Sequence, residues 1–325
     1  MKTKTLILGA GVGGLAAASR LKELGETDFL VIDKCLELPR NFKNGLHYLH
    51  SIPETPFNLE YKSIILTEEV WNTRDNTFKK QANIPEMFEY SRKLMENLRH
   101  PSSIQDPGRR TEVFVPYSNS MDDLLNGFYN YIGADKFVWN NKLNNIDKEN
   151  KTASFTDGTD ITGIVEYEHL ITTIPMPVLY NACDLKCPYE LKSKTLYITN
   201  YKTTNIVPNW LIALYMSDPK FPPYRITVLN NILSMESLTK LSYENEVIIK
   251  YVIGDLFDYE LSSKSEYAWE TGRIFGIQKL EREEIINSFK SKDIHLLGRY
   301  SEWNGKLLID STIARAKEIV DGIIK

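Results

Sequence analysis

Thr5-Leu-Ile-Leu-Gly9-Ala-Gly11-Val-Gly13-Gly14-Leu-Ala-Ala-Ala-Ser19, continued by Phe29-Leu-Val-Ile-Asp33, is the stretch on which the fold turns. Thr5–Leu8 is a short apolar run with the character of a buried parallel strand. Gly9, Gly11 and Gly14 fit G-x-G-x-x-G, with Gly13 as an additional glycine. Leu15–Leu24 predicts an Ala-rich amphipathic helix stopped by Gly25, and Phe29–Ile32 a second strand. Each part has a physical task in a dinucleotide-binding βαβ unit. Gly9 allows the tight turn, Gly11 lets a pyrophosphate approach the backbone, and Gly14 lets helix and strand pack closely. The helix N-terminus offers free N–H groups to phosphate oxygens. Asp33, 19 residues beyond Gly14, places a carboxylate where ribose hydroxyls donate, and it would repel the 2′-phosphate of NADP.

The rest of the chain sets the scale around this unit. With 325 residues, 42% hydrophobic and 25% charged, it can bury an ample core in one to three domains. A net charge of -4 argues against a protein built around nucleic-acid phosphates, though a local basic groove stays open. Three cysteines, Cys35, Cys183 and Cys187, are too few for a disulfide framework and point to a reducing compartment. Cys183 and Cys187 read either as ordinary buried thiols or as a pair, bonded or sharing a metal. The first residues mimic a signal peptide, but glycines break the apolar run and Arg20, Lys22 and Glu23 continue it as a helix. No apolar run approaches ~20 residues, so the expectation is a cytoplasmic protein with no membrane span. Farther on, residues 51–110 are polar and broken by prolines, with a helix expected over Pro85–Leu98. Strands are expected at Thr111–Pro116, Phe137–Ile146, Thr152–Phe155, His169–Ile174 and Ile294–Leu297, and through β-rich runs between 196 and 257 that include EVIIKYVIGDLF. Helices are expected at Met121–Ile132, Leu280–Phe289 and Ser311–Ile324.

Three segments then carry a resemblance. LLGRYSEWNGKLLIDSTIARAKEI (296–319) resembles the C-terminal FAD signature of the glutathione-reductase-type superfamily that holds flavin amine oxidases, protoporphyrinogen oxidase and UDP-galactopyranose mutase. FVPYSNSMDDLLNGF (114–128), KFVWNNKLNNIDKENKTASFTDG (136–158) and HLITTIPMPVL (169–179) are similar to the second FAD-binding segment of the same proteins. Gly45-Leu-His47-Tyr-Leu-His50-Ser51 resembles a G-x-H-x-x-H-[ST] segment of the mutases, and Pro223-Tyr-Arg225-Ile-Thr a stretch there that faces the substrate diphosphate. Gly298-Arg299 matches the mutase-like form of the tail. Two features depart from the pattern: Pro39-Arg40 stands where a Gly-Gly pair is usual, and residues 51–110 are too short for the aromatic, uridine-stacking insert of mutases.

The resemblance implies an α/β fold: a discontinuous, doubly wound, Rossmann-like FAD-binding domain from 1–50, 105–180 and 290–325. A sheet-based substrate domain comes from 181–289, with 51–104 as a small, partly helical lid. It assigns to FAD the loop Gly9, Gly11, Gly13 and Gly14, Asp33 with Lys34, Arg40 toward a phosphate, and the Leu143 backbone toward adenine. Gly298-Arg299 goes to phosphate or ribityl oxygens, and Asp310-Ser311, capping the last helix, to the flavin pyrimidine. His47 falls at the flavin edge, its alternatives being a structural histidine or, with His50 on a helix, a metal ligand. Arg225 pairs with an anionic substrate group or else lies on the surface. Tyr267, Trp269 and Trp303 either wall the site or are core. The reading is an FAD-dependent oxidoreductase of amine-oxidase type that takes hydride from a small-molecule C–H donor, with no metal. The alternatives are a mutase-like, non-redox use of flavin on a nucleotide sugar, and a binding protein without flavin, like the Rab GDP-dissociation inhibitors.

Overall fold

The computed structural model describes residues 1–39, 46–72, 79–80, 93, 110–218, 221–247, 249, 251 and 261–324. In chain order these give β1 (Lys2–Leu8), α1 (Val12–Glu23), β2 (Phe29–Ile32), β3 (Tyr61–Asn72), β4 (Lys79–Lys80), β5 (Arg110–Pro116) and α2 (Asp122–Ile132). There follow β6 (Phe137–Val138), β7 (Lys142–Asp147), β8 (Thr152–Thr156), β9 (Ile161–Thr172), α3 (Met176–Ala182), β10 (Lys192–Met216) and β11 (Pro223–Ser237). The chain closes with β12 (Leu261–Phe275), α4 (Lys279–Lys290), β13 (Ile294–Leu296) and α5 (Ile309–Ile323).

The first sheet runs β6-β2-β1-β9-β8-β7, with β13 also on β9. β1 is parallel to both β2 and β9, which buries it on both faces and explains its unbroken apolar run. Ile7 joins Leu15, Ala18, Leu124, Phe128, Ile313 and Val320 in a core under α1, α2 and α5. Leu6 and Leu8 face the other way, with Leu179, Ile285, Phe289 and Trp303, under α3 and α4. The strand's alternation thus loads two opposite layers, as a doubly wound sheet requires. β9 is longer than expected because its outer edge serves two partners: β8 along 161–166 and β13 along 170–172.

The second sheet runs β11-β10-β3-β4, with β12 on β10 and β5 on β3. Its spine is the 25-residue β10, which lies between β11 and β12 in its first half and between β11 and β3 in its second. Two sequence expectations change here. Residues 51–104, expected as a partly helical lid, contribute the twelve-residue strand β3, whose Ile64 and Leu66 are buried against Val113 and Val115 of β5. The crossing into the first sheet therefore comes after Pro116, where 105 had been expected. The β-branched run from Glu246 is helical at Tyr243–Val247, Ile249 and Tyr251. Ser242 starts it, its Oγ accepting the Asn245 N–H and its carbonyl the Glu246 N–H, a cap that outweighs the propensity of the run. The helix expected at 85–98 lies outside the described residues, except for Lys93, which is helical.

β11 cannot be straight. Arg225 and Glu236 are eleven positions apart on it and their side chains touch, whereas an extended strand would separate them by about 36 Å. The reversal falls at Asn230, in the left-handed region at φ 53, where the register with β10 also slips. Both residues thus end on the inside of the same bend.

Candidate functional site

The glycine loop behaves as its sequence predicts. Gly9 has φ +99, and a Cβ there would sit 2.2 Å from Thr173 Oγ1, so both conformation and space demand glycine. A Cβ on Gly14 would lie 1.9 Å from the Gly9 carbonyl oxygen, and one on Gly13 3.2–3.3 Å from Leu297, Thr173 and Thr312. Gly11 is different: a Cβ there would meet no heavy atom within 4 Å. It is the N-cap of α1, which has no side-chain cap and no acid in its first turn. The loop therefore leaves open space in front of an uncapped, positively polarised helix end, which suits a phosphate group. Asp33 stands at the end of β2 and accepts N–H bonds from Ala10 at 2.7 Å and Cys35 at 2.8 Å. Lys34 next to it is exposed. Residues 138–141 lie against this turn through Asp33 N–H to Val138 O and Asn141 N–H to Asp33 O. Leu143, half-buried on β7, lines an open cavity of about 450 Å³ with Thr156, Pro177, Val178 and Asn181.

The tail meets this loop from the other side. Gly298, at φ +96, follows β13 and approaches Thr312, which also borders Gly13. Asp310 and Ser311 occupy the first turn of α5, and the capping position is Leu308. Ser311 Oγ accepts the Leu308 N–H at 2.9 Å, while Asp310 accepts the backbone N–H and the hydroxyl of Ser51. The expected cap is thus displaced by two to three residues, because Ser311 closes the box from within the helix. The Ser51 contact ties the segment Leu46–Ser51 to the first sheet's last helix. Leu49 pairs the same segment to Phe114 of the second sheet, so His47 and Tyr48 are held between the two sheets.

At that junction the side chains form a charged cluster. Arg225 donates from Nε at 3.0 Å and from Nη2 to one oxygen of Glu236, and Tyr224 donates its hydroxyl to the other at 2.5 Å. Burial raises the Glu236 carboxyl, but Arg225, the Tyr224 hydroxyl and the nearby His47 outweigh it and leave the pKa below the ordinary carboxylate value. Burial likewise works against the Arg225 charge, and Glu236 more than restores it. Arg299, half-buried, donates from Nε to Leu307 O at 3.1 Å. Its pKa is lowered, first by burial and then by Arg273 and Arg225. Arg273 reaches over the Tyr224 ring, its Cζ 6.0 Å from the ring centre. Trp269 contacts Tyr300, ring centres 5.5 Å apart, and the Tyr300 hydroxyl donates to Gly272 O. Trp303, by contrast, is fully buried among the core residues of the first sheet, so of the aromatics considered for the wall it is core.

The structure thus brings His47, Arg225 and Arg299 together, and Gly9–Gly14 with Asp33, Gly298 and the start of α5. Arg40 and Gly45 lie outside the described residues. Sequence reading missed Glu236 and Arg273, and gave Tyr224 and Thr173 no role of their own within the stretches 223–227 and 169–179. Thr173 was findable, as the first polar residue after β9, which is parallel to β1. Glu236 and Arg273 carried no local signal. The three cysteines are free, with Cys183 buried and its pKa raised to about 11 by that burial. Among the described residues no cluster of three or more His, Cys, Asp or Glu could hold a metal, and no helix is long and apolar enough to cross a membrane.

No family profile and no curated protein sequence matches this chain. Solved structures do. Reduced UDP-galactopyranose mutase superposes with TM-score 0.70 at 14% identity, over 99% of this chain and 95% of the mutase. A fatty acid isomerase from P. acnes that produces CLA gives 0.64 at 11%, over 98% of each chain. Putrescine oxidase bound to putrescine gives 0.59 at 11%, over 100% of this chain and 99% of that one. Shared layers over nearly the whole length, from the glycine loop to the last helix, mean that this chain has the fold of UDP-galactopyranose mutase and putrescine oxidase.

Proposed function

We propose that the chain is an FAD-dependent oxidoreductase acting on a small molecule held between its two sheets. One observation carries this reading: the open, uncapped α1 N-terminus at Gly11, backed by glycines at positions 9 and 14 that admit no side chain. Gly9–Gly14 and α1 would bind the pyrophosphate, Asp33 a ribose, the Leu143 strand the adenine, and Gly298, Arg299 and the start of α5 the isoalloxazine end. Bound there, FAD supplies a hydride acceptor. The protein's own task is to orient a C–H donor and to exclude water from it. Tyr48, Tyr224, Trp269 and Tyr300 provide apolar walls, and His47 a titratable group at the cleft. The amine-oxidase-like form of the reading is supported by the putrescine oxidase fold.

A second reading, mutase-like use of reduced flavin on a nucleotide sugar, is favoured by the arginine cluster, since arginine forks suit a diphosphate. The short 51–110 segment weighs against it. Purified protein is expected to be yellow, with bands near ~450 nm from the cofactor's own chromophore. Anaerobic mixing with a donor should bleach them, and UDP should bind only at about millimolar Kd. A folded, colourless protein that refuses FAD would return the chain to the binding-protein alternative. Micromolar UDP binding, with furanose–pyranose interconversion that needs reduced flavin, would put the mutase first.

A further inference from the structure

Three guanidinium groups meet at the junction, and their engagements are unequal. Arg225 gives two of its donors to Glu236. Arg299 has the Leu307 carbonyl. Arg273 has a buried Nε with no hydrogen-bond partner and, among the described residues, no carboxylate. Its strand position explains where it lies. Ile274 is buried in the core of the first sheet, so alternation along β12 sends Arg273 to the opposite side, over the Tyr224 ring. The carboxylate at this junction, Glu236, is already held by Arg225 and Tyr224. A charged donor left buried without an acceptor is costly, and its natural partner is a ligand.

We propose that Arg273 receives an oxyanion of the substrate, a carboxylate or a phosphoryl group, while Glu236 occupies Arg225 as a built-in competitor for the same ligand. The proposal rests on the flavoenzyme reading for the cofactor's place, but anion binding itself does not depend on it. It changes the expected role of Arg225. A fork already filled by an internal carboxylate meets an incoming anion only after Glu236 is displaced, whereas Arg273 is ready to donate. It also narrows the donor. Three arginines repel a simple ammonium ion, so a donor that is an amine must carry an acid group of its own.

The test titrates inorganic diphosphate, inorganic phosphate and benzoate into the FAD-loaded full chain, by calorimetry and by the shift of the bound flavin spectrum. Flavin content is measured first. A chain that takes no FAD contradicts the flavoenzyme reading, and calorimetry alone then judges Arg273. At least one probe is expected to bind, with a preference for benzoate identifying a carboxylate and one for the phosphates a phosphoryl group. Arg273→Met should weaken the best probe by about 30-fold, the loss of a charge-assisted pair. Glu236→Gln keeps an acceptor for Tyr224 yet frees Arg225, and should tighten the same probe by about 10-fold. A merely structural role for Glu236 predicts no such gain. Should Arg273→Met fail to fold, Arg273→Lys keeps the charge and loses the fork, with about 10-fold weaker binding expected. Binding of no probe, unchanged affinity in a folded Arg273 variant, or no gain in Glu236→Gln overturns the proposal.

Discussion

The glycine loop and the arginine cluster are made in opposite ways. The loop is built from backbone. Its ligand-facing groups are N–H donors, its key residues are those with no side chain, and they fall within positions 9–14. The cluster is built from side chains. His47, Arg225, Glu236, Arg273 and Arg299 are spread over about 250 residues, on the bent strand β11, on β12 across β10 from it, and on two connecting segments. Backbone sites fail by steric intrusion and side-chain sites by loss of charge balance, so the two should respond to different perturbations.

The largest expected effect separates them cleanly. Gly11→Val should weaken FAD binding by about a thousandfold, equivalent to about 4 kcal/mol. The cofactor-free protein should keep its stability within about 0.5 kcal/mol, because the added atoms enter open space. Fluorescence titration with FAD and urea unfolding of the stripped protein measure the two quantities. Equal losses in both would mean the loop is structural only. Next comes Glu236→Ala, which leaves the Arg225 charge buried and unmatched. It should cost about 3 kcal/mol in unfolding free energy while altering FAD affinity little. Gly14→Ala should cost about 2–3 kcal/mol through the clash with the Gly9 carbonyl, despite being the milder substitution on paper.

Legibility follows the same division. Strand, turn, helix, strand and Asp33 are contiguous, and each has a composition that only one conformation satisfies, so the first thirty-three residues read directly. Much of the first sheet followed, because β9 and β13 are apolar runs after recognisable turns. The second sheet resisted. β3 looked like polar connecting chain because only one of its faces is buried, with Ile65 exposed between Ile64 and Leu66. The helical residues 243–247, 249 and 251 looked like strand because of the β-branched run there, whose residues divide between a surface face, Val247, and a buried one, Ile249. Glu236 was hidden for a geometric reason. Nothing in a sequence announces that a strand doubles back at Asn230, and without that reversal no spacing rule brings positions 225 and 236 together.

A smaller effect lies away from both and serves as their control. His295 on β13 is pressed to a pKa of about 4, first by burial and then by His169, against the opposing pull of Asp293. A folded pKa below the unfolded value near 6.5 means that the neutral form is favoured in the fold. The associated stability is complete above about pH 6.5 and is lost as pH falls toward 4. Allowing for partial solvent contact, the loss should be about 1.5 kcal/mol, and His295→Leu should flatten that window in urea melts. Glu236, whose folded pKa is depressed, instead contributes above the ordinary carboxylate range and loses its share only at lower pH. The two acid transitions should therefore be separable by mutation.

The placement of α5 against α1 also fixes an order of events during synthesis. Ile7, Leu15 and Ala18 share their core with Ile313, Ala316 and Val320, and Arg20 pairs with Asp321 at 2.7 Å. The glycine loop thus leaves the ribosome well before the helix that encloses it. Until residues 294–324 emerge, β9 lacks one edge partner and the face of α1 that α5 will cover is wet. Such long-range closure makes folding slow, and it leaves apolar surface open while the residues between α1 and α5 are translated. Ribosome-stalled chains ending near residue 290 should accordingly bind chaperones and resist loading with cofactor, whereas release of the last turn of α5 should switch both behaviours together.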